Sequence, residues 1–433
     1  MNKIDLTRRK FLGRTGTAAL AIPLAAAIPA AIEATSPNRV EAAMENDEQQ
    51  TIPNRAITAR TIGSLNQPVT LPASGSDCSS AIQSAINTAS TGGGGVVTIP
   101  YKNDGVCYVD IMANTYVNPK GEDVYYAVKL ANNVRLEAAP GVVIKALPNH
   151  GINPVNVPRA YILLCQDVDN VELCNLRLVG ERYTHDFSSG GSHEWCHGIQ
   201  INGDLQHVTV RACIISDCTG DGICVGRYNG MDPSDIIICD VVCTGNRRQG
   251  LSLTGGDNLQ VYDSEFSNTY GTAPQNGIDV EPMGGADLSN VTIENCLIRG
   301  NSGDGIELNA NGTATSVSIF TVQNCLLAGN YWHGLAVHGS GAIDTGGIYG
   351  NAFYQNGNIG LSLADSPTNY TIGALNKDGN FTNNFANNNV GTYSYPNNTP
   401  SDVNGYVAGD DMHLGPDVLG SSSNVVRYNR FFT

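Results

Sequence analysis

Two phrases one repeat apart decide how this chain folds: Asn276-Gly-Ile-Asp-Val-Glu-Pro282 and Asp304-Gly-Ile-Glu-Leu-Asn309. In each, a glycine is followed by alternating apolar and polar residues, the period-two signature of a strand. Ile278 and Val280 are expected to face inward with Ile306 and Leu308. Asp279, Glu281, Glu307 and Asn309 are then expected to face outward together. Three carboxylates on one small patch repel each other, which points to a bound metal or to acid/base chemistry.

The phrase recurs as His197-Gly-Ile-Gln-Ile, Asp221-Gly-Ile-Cys-Val, Gln249-Gly-Leu-Ser-Leu, His333-Gly-Leu-Ala-Val and Ile359-Gly-Leu-Ser-Leu. Its glycines stand at 198, 222, 250, 277, 305, 334 and 360, so the steps are 24, 28, 27, 28, 29 and 26 residues. A period of this size means a solenoid. Each repeat holds three short strands and leaves no room for a helix, which predicts an all-β parallel β-helix. A second series keeps the period: Asn175, Asp240, Asp263, Asn295, Asn324 and Asn351 each follow a short apolar strand, and Ala212 interrupts the run. Stacked asparagines of this kind are expected to hydrogen-bond from coil to coil.

Ahead of the repeats, Thr7-Arg-Arg-Lys-Phe-Leu12 and a small apolar run from Thr17 to Ile32 read as a twin-arginine export signal. The run is too short and too proline-interrupted for a membrane span. Residues 1–45 are assigned to signal and linker, 55–390 to the β-helix with its N-terminal cap, and 391–433 to irregular last coils or a cap. Twelve cysteines lack the spacing of a disulfide framework or a metal site. Cys213, Cys296 and Cys325 share one repeat position and read as buried thiols; Cys78 with Cys107 and Cys218 with Cys243 are the pairs open to bridging. The net charge of −16 argues against nucleic acid or an anionic membrane as partner.

The region before the first coils carries Asp77-Cys-Ser-Ser-Ala-Ile-Gln-Ser-Ala-Ile86, apolar at helical spacing, and then Gly92-Gly-Gly-Gly-Val-Val-Thr-Ile-Pro100. This combination resembles the start of pectate-lyase-like right-handed β-helix proteins, and the resemblance spans about residues 57–390. That superfamily includes pectate lyases, polygalacturonases, alginate-modifying lyases and epimerases, and phage tailspikes. The resemblance implies a right-handed, single-stranded solenoid capped by a short helix, with an active groove on the glycine-led strands. It also departs from known patterns. The polygalacturonase set Asn-Thr-Asp, Asp-Asp and Gly-His-Gly is missing, with Trp332-His-Gly334 only a partial echo, and the Asp-Pro-His of alginate epimerases is missing too. Trimers occur among such relatives, but the sequence carries no coiled-coil repeat.

Aligning the glycine-led strands gives the candidate site. Two residues after each glycine stand Gln200, Cys224, Ser252, Asp279, Glu307, Ala336 and Ser362. Four after it stand Asn202, Gly226, Thr254, Glu281, Asn309, His338 and Ala364. Neighbouring coils lie about 4.8 Å apart, so Asp279, Glu281, Glu307 and Asn309 form a quadrilateral with His338 at the next corner. Arg248 approaches from the preceding turn, and Arg247, Asn202, Tyr270 and Trp195 complete the candidate substrate contacts, the aromatics as stacking surfaces for sugar rings. A long polar insertion at 181–196 is expected to line the groove. Three readings follow. Glycoside hydrolysis of a polysaccharide uses one carboxylic acid and one carboxylate and needs no cofactor. A lyase or uronate epimerase would hold calcium on Asp279, Glu281 and Glu307, with Arg248 or His338 withdrawing the sugar proton. The third reading is a glycan-binding tailspike or adhesin without turnover.

Overall fold

The computed structural model describes residues 61–148, 159–188, 192–310, 316–338 and 342–363, with the strands at 368–373, 384–386, 412–414, 425–427 and 430–432. The twin-arginine segment lies outside the described residues. The chain forms three parallel sheets of 12, 11 and 11 strands. Strands of one sheet come from successive coils, so the sheets are the three walls of a right-handed parallel β-helix. One antiparallel pair, Asn114–Val117 against Asp123–Lys129, sits at the end of the third sheet. Regular pairing runs on into the segment expected to be irregular: Met412–Leu414, Val425–Arg427 and Arg430–Phe432 each add a parallel strand to one wall.

The third wall carries the glycine-led strands: β1 (Cys196–Asn202), β2 (Ile223–Gly226), β3 (Leu251–Leu253), β4 (Ile278–Val280), β5 (Ile306–Asn309), β6 (Leu335–His338) and β7 (Leu361–Leu363). Their inward residues, among them Ile278, Val280, Ile306 and Leu308, are fully buried in one continuous core. The glycines are fixed by coil stacking. A Cβ on Gly277 would come within 2.7 Å of the Gly305 carbonyl oxygen, and one on Gly305 within 2.4 Å of that of Gly334. Only a residue without a side chain lets successive coils close at this corner.

The open end is covered by α1 (Ser79–Thr91), which buries Ile82, Ala85, Ile86 and Ala89 on the first coils. Asp77 Oδ1 accepts the Ser79 N–H at 2.9 Å and holds the first turn. The Gln83 side chain then acts as a short substitute strand. It accepts the Lys129 N–H at 2.8 Å and donates to the Lys129 carbonyl at 3.0 Å. An edge that would otherwise recruit another chain is thereby satisfied within the molecule.

The asparagine series behaves differently from expectation. Asn175 and Asn295 are exposed, and Asn175, Asp240, Asp263, Asn295 and Asn324 take φ of 51–55°. They serve as left-handed turn residues, a conformation asparagine tolerates, and are not an internal ladder. In the coil of Asn351, Gly350 takes the positive φ and Asn351 moves one place inward, where it accepts the Cys325 N–H at 2.9 Å. The buried ladder sits at another corner. Asn301 Nδ2 donates to Asn330 Oδ1 at 2.9 Å, and Asn330 Nδ2 to Asn356 Oδ1 at 3.0 Å. All twelve cysteines are buried and free, including both pairs open to bridging. The Cys213, Cys296 and Cys325 thiols point at main-chain carbonyls of their own or the preceding coil.

Candidate active site

Strand register sets the site. Ser252 pairs with Asp279, Asp279 with Glu307, Glu307 with Ala336, and Asn309 with His338. The outward column is thus the one counted from the glycines, and it stacks Asp279 directly against Glu307. The patch is not a solvated outer surface, however. Asp279 is only 2% exposed and Ser252 is fully buried, because the turns at Arg248 and Gln249 fold over the wall.

The three carboxyl groups are driven in opposite directions. Burial, then the charges of Glu307 and Glu281, raise Asp279 well above the usual carboxylate range, and Arg248 opposes them only partly. Asp279 accepts a hydrogen bond from Gln249 Nε2 at 2.9 Å. Glu281, half-buried, is also raised: burial leads, Glu307 adds to it, and Arg248 pulls the other way. Burial works on Glu307 as well, but hydrogen bonds and charge from His338, with a further bond from Asn276, outweigh it and lower its pKa. His338 Nε2 lies 2.6 Å from Glu307 Oε1, and Asn276 Nδ2 donates to Oε2.

Arg248 is buried and held by Asp221, whose Oδ1 and Oδ2 accept from Nη1 at 3.3 and 3.1 Å. Burial alone would weaken its hold on the proton, but Asp221 and Asp279 together raise its pKa above the usual guanidinium value. A base role for Arg248 is therefore corrected: the guanidinium keeps its proton and acts as a fixed positive charge beside Asp279 and Glu281. Trp195 is half-buried beside two guanidiniums, with Arg159 4.6 Å and Arg248 5.3 Å from its ring. Arg247 stacks on Phe187 at 4.6 Å and donates to the Ser192 carbonyl at 2.7 Å, which pins the insertion to the turn. Tyr270 remains exposed, its ring 4.1 Å from the Arg182 guanidinium and its hydroxyl 2.7 Å from that of Tyr183. Asn202 is buried on β1, three coils before Glu281 and away from the carboxylates. Asn309 stands beside His338, its Oδ1 buried and without a hydrogen-bond partner.

A second buried network was not anticipated. At four of these corners the residue before the glycine accepts the main-chain N–H of its counterpart one coil on: His197 Nδ1 from Asp221 at 2.9 Å, Gln249 Oε1 from Asn276 at 2.7 Å, Asn276 Oδ1 from Asp304 at 2.8 Å and Asp304 Oδ1 from His333 at 2.7 Å. Gln249, Asn276 and Asp221 thereby orient Asp279, Glu307 and Arg248. The sequence signal was present, since this column reads His, Asp, Gln, Asn, Asp, His in successive coils. Burial drives the His197 pKa down to about 4, so its imidazole is neutral. Ligand atoms of His197, Asp221 and Cys224 lie within 4.8 Å of one another. Asp221 is already engaged by Arg248 and by Ser252 Oγ at 2.9 Å, and His197 Nδ1 by a main-chain N–H, so the set is built as a hydrogen-bonded anchor.

The family described as "Right handed beta helix region" matches residues 189–347, which contain all three carboxylates. The matched segment and the three walls of parallel strands agree on the fold, a right-handed parallel β-helix. Among curated proteins it is similar to the uncharacterized protein YclG of Bacillus subtilis, 30% identical over 213 residues, which is 43% of this chain and 35% of that protein. The chain thus spans about a third of that relative's length. Among solved structures it is similar to the mannuronan C-5 epimerase AlgE6 A-module of Azotobacter vinelandii, with TM-score 0.52 and 17% identity over 83% of this chain and 96% of the other. It is also similar to ORF18 of Geobacillus virus E2, with TM-score 0.53 and 13% identity over 74% and 57% of the two chains. At these identities the structural likeness is one of fold. Among the described residues no helix is long and apolar enough to cross a membrane.

Proposed function

We propose that the protein is a carbohydrate-active enzyme that hydrolyses glycosidic bonds in a polysaccharide, and that the Thr7–Leu12 motif directs its export by the twin-arginine route. The carrying observation is the split of the carboxyl groups on β4, β5 and the turn after β4. Groups whose surroundings push their pKa values apart are suited to act as acid and base. Glu281, raised and half-buried, is the general acid that protonates the leaving oxygen. Glu307, lowered and oriented by Asn276 and His338, is the carboxylate that activates water. Asp279 lies beneath them, too buried to meet a sugar directly, and its raised pKa favours a neutral form that adds no further negative charge to the patch.

A second reading rests on the contact between Glu307 and His338. An imidazole held 2.6 Å from a carboxylate is suited to withdraw a sugar proton, as β-elimination or epimerisation of a uronate requires. Its calcium variant fits less well. Hard cations take ionised oxygen ligands, whereas both Glu307 oxygens already accept hydrogen bonds and burial disfavours the charged form of Asp279. One experiment divides these readings from each other and from a non-catalytic glycan binder. Neutral and uronic polysaccharides are incubated with the protein, with and without chelator, and new reducing ends and unsaturated-sugar absorbance are followed. New reducing ends without unsaturation, insensitive to chelator, are expected. Unsaturated products would move the assignment to a lyase, a changed uronate composition without either product to an epimerase, and binding without any of these to a lectin-like role.

A further inference from the structure

The turn leading into the third wall changes character from coil to coil around the carboxylates. Main-chain hydrogen bonds align it: Ser302 N–H donates to the Thr269 carbonyl at 2.9 Å and Tyr331 N–H to the Asn301 carbonyl at 2.8 Å. Tyr270, Ser302 and Tyr331 therefore stand in one row along the solenoid axis, and Trp332 lies against Gly303, with its N–H 3.1 Å from that carbonyl oxygen. The coil of Asp279 and Glu281 presents Tyr270, and the coil of His338 presents Tyr331 and Trp332. The coil of Glu307, between them, presents only Ser302 and Gly303. Tyr270 and Trp332 are 43% and 45% exposed, a costly use of aromatic surface.

Both aromatics are rigidly mounted. The Tyr270 ring is backed by Arg182 and tied to Tyr183 through the hydroxyls. Trp332 accepts the Asn358 N–H on its carbonyl at 2.8 Å, and its ring meets Tyr331 edge-on at 5.8 Å. Beneath it His333 is locked between Asp304, 2.9 Å away, and Asn358, 3.1 Å away. A fixed ring gives stacking contact at little entropic cost.

Resting on the glycosidase reading above, we propose that Tyr270 and Trp332 are stacking platforms for two sugar rings of one glycan, on opposite sides of the bond that Glu281 and Glu307 cleave. Two coil spacings separate the platforms by about 10 Å, the span of a disaccharide unit. The small Ser302-Gly303 turn leaves room for the linkage beside Glu307. Rings engaged on both sides, along a wall whose coils continue beyond each platform, suit a cut within a chain.

The test uses the full chain, whose tryptophans are two, Trp195 and Trp332. Tryptophan fluorescence is titrated with hexasaccharides of glucose, xylose, galacturonate and mannuronate, for the wild type and Trp332→Phe. A saturable change in the wild type that disappears in Trp332→Phe is expected, with Trp332→Ala raising KM for the same hexasaccharide roughly tenfold and changing kcat less. Short oligosaccharides, not monosaccharide, are the expected first products. No spectral change with any hexasaccharide, or a change undiminished in Trp332→Phe, overturns the platform. Saturable binding without turnover keeps the platform and overturns the glycosidase reading. Turnover without a Trp332 signal does the reverse.

Discussion

Two walls of the solenoid solve the same stacking problem with opposite electrostatics. On the first wall, three neighbouring strands present outward residues of alternating sign. Arg135 and Arg211 both reach Glu172 between them, the former at 2.6 Å. On the third wall, Asp279 sits directly against Glu307 with Glu281 close by, and the pKa of Asp279 and of Glu281 is raised, by burial first and by the neighbouring carboxylates after it. A charge ladder of alternating sign is inexpensive surface decoration. Like charges, buried and adjacent, oppose folding and persist where chemistry uses them. The contrast singles out the candidate site without reference to any relative.

The largest expected effect separates the walls by activity. Glu281→Gln and Glu307→Gln should each lower kcat by about 10²-fold or more, the scale of general acid–base catalysis, while Glu172→Gln leaves it unchanged. Folding of all three, checked by circular dichroism, should match the wild type. The pH–rate profile should be bell-shaped. Its acid limb belongs to Glu307 and lies below the ordinary glutamate value of 4.5, and its basic limb belongs to Glu281 and lies above it. Glu281→Gln should remove the basic limb from whatever activity remains; a limb that survives assigns the acid elsewhere.

A smaller effect concerns the corners. Asn330→Ala breaks a buried ladder that bonds to Asn301 and Asn356, and should cost about 1–3 kcal/mol in denaturant unfolding. Asn295→Ala, on an exposed left-handed turn, should cost roughly 1 kcal/mol through backbone strain alone, and Asn295→Gly should recover most of it. Equal losses at both corners would refute the distinction between them.

Next comes His197, neutral inside the third wall. Its folded pKa of about 4 lies below the ordinary 6.5. The folded state therefore binds fewer protons than the unfolded chain in this window. The stability held by the neutral ring is complete above pH 6.5 and declines as pH falls toward 4, by at most about 1.4 kcal/mol per pH unit. His197→Asn, which cannot titrate, should show a shallower decline. Smallest of all, Glu172→Gln on the first wall should change stability by about 0–1 kcal/mol, less in high salt.

The outward column could be counted residue by residue from the glycines, because strand period and coil length leave no freedom once each Gly is fixed by the carbonyl above it. Depth could not be counted. Whether Asp279 is solvated depends on Arg248, Gln249 and the chain that folds over them, which are tertiary facts. The asparagine corner failed for a related reason. Asn295 and Asn301 both follow strands, and only the φ each adopts tells an exposed turn from an internal rung. Asp221 was visible as the head of its repeat phrase, but its role was not, since its partner Arg248 is 27 residues away.

The twelve thiols give the molecule a built-in stopwatch. Every one is sealed in the solenoid, and those at Cys213, Cys296 and Cys325 mark successive heights along a single corner. A thiol reagent in solution can reach them only through openings of the structure around them. The order in which they are modified therefore records whether the coils separate one after another from an end or all at once.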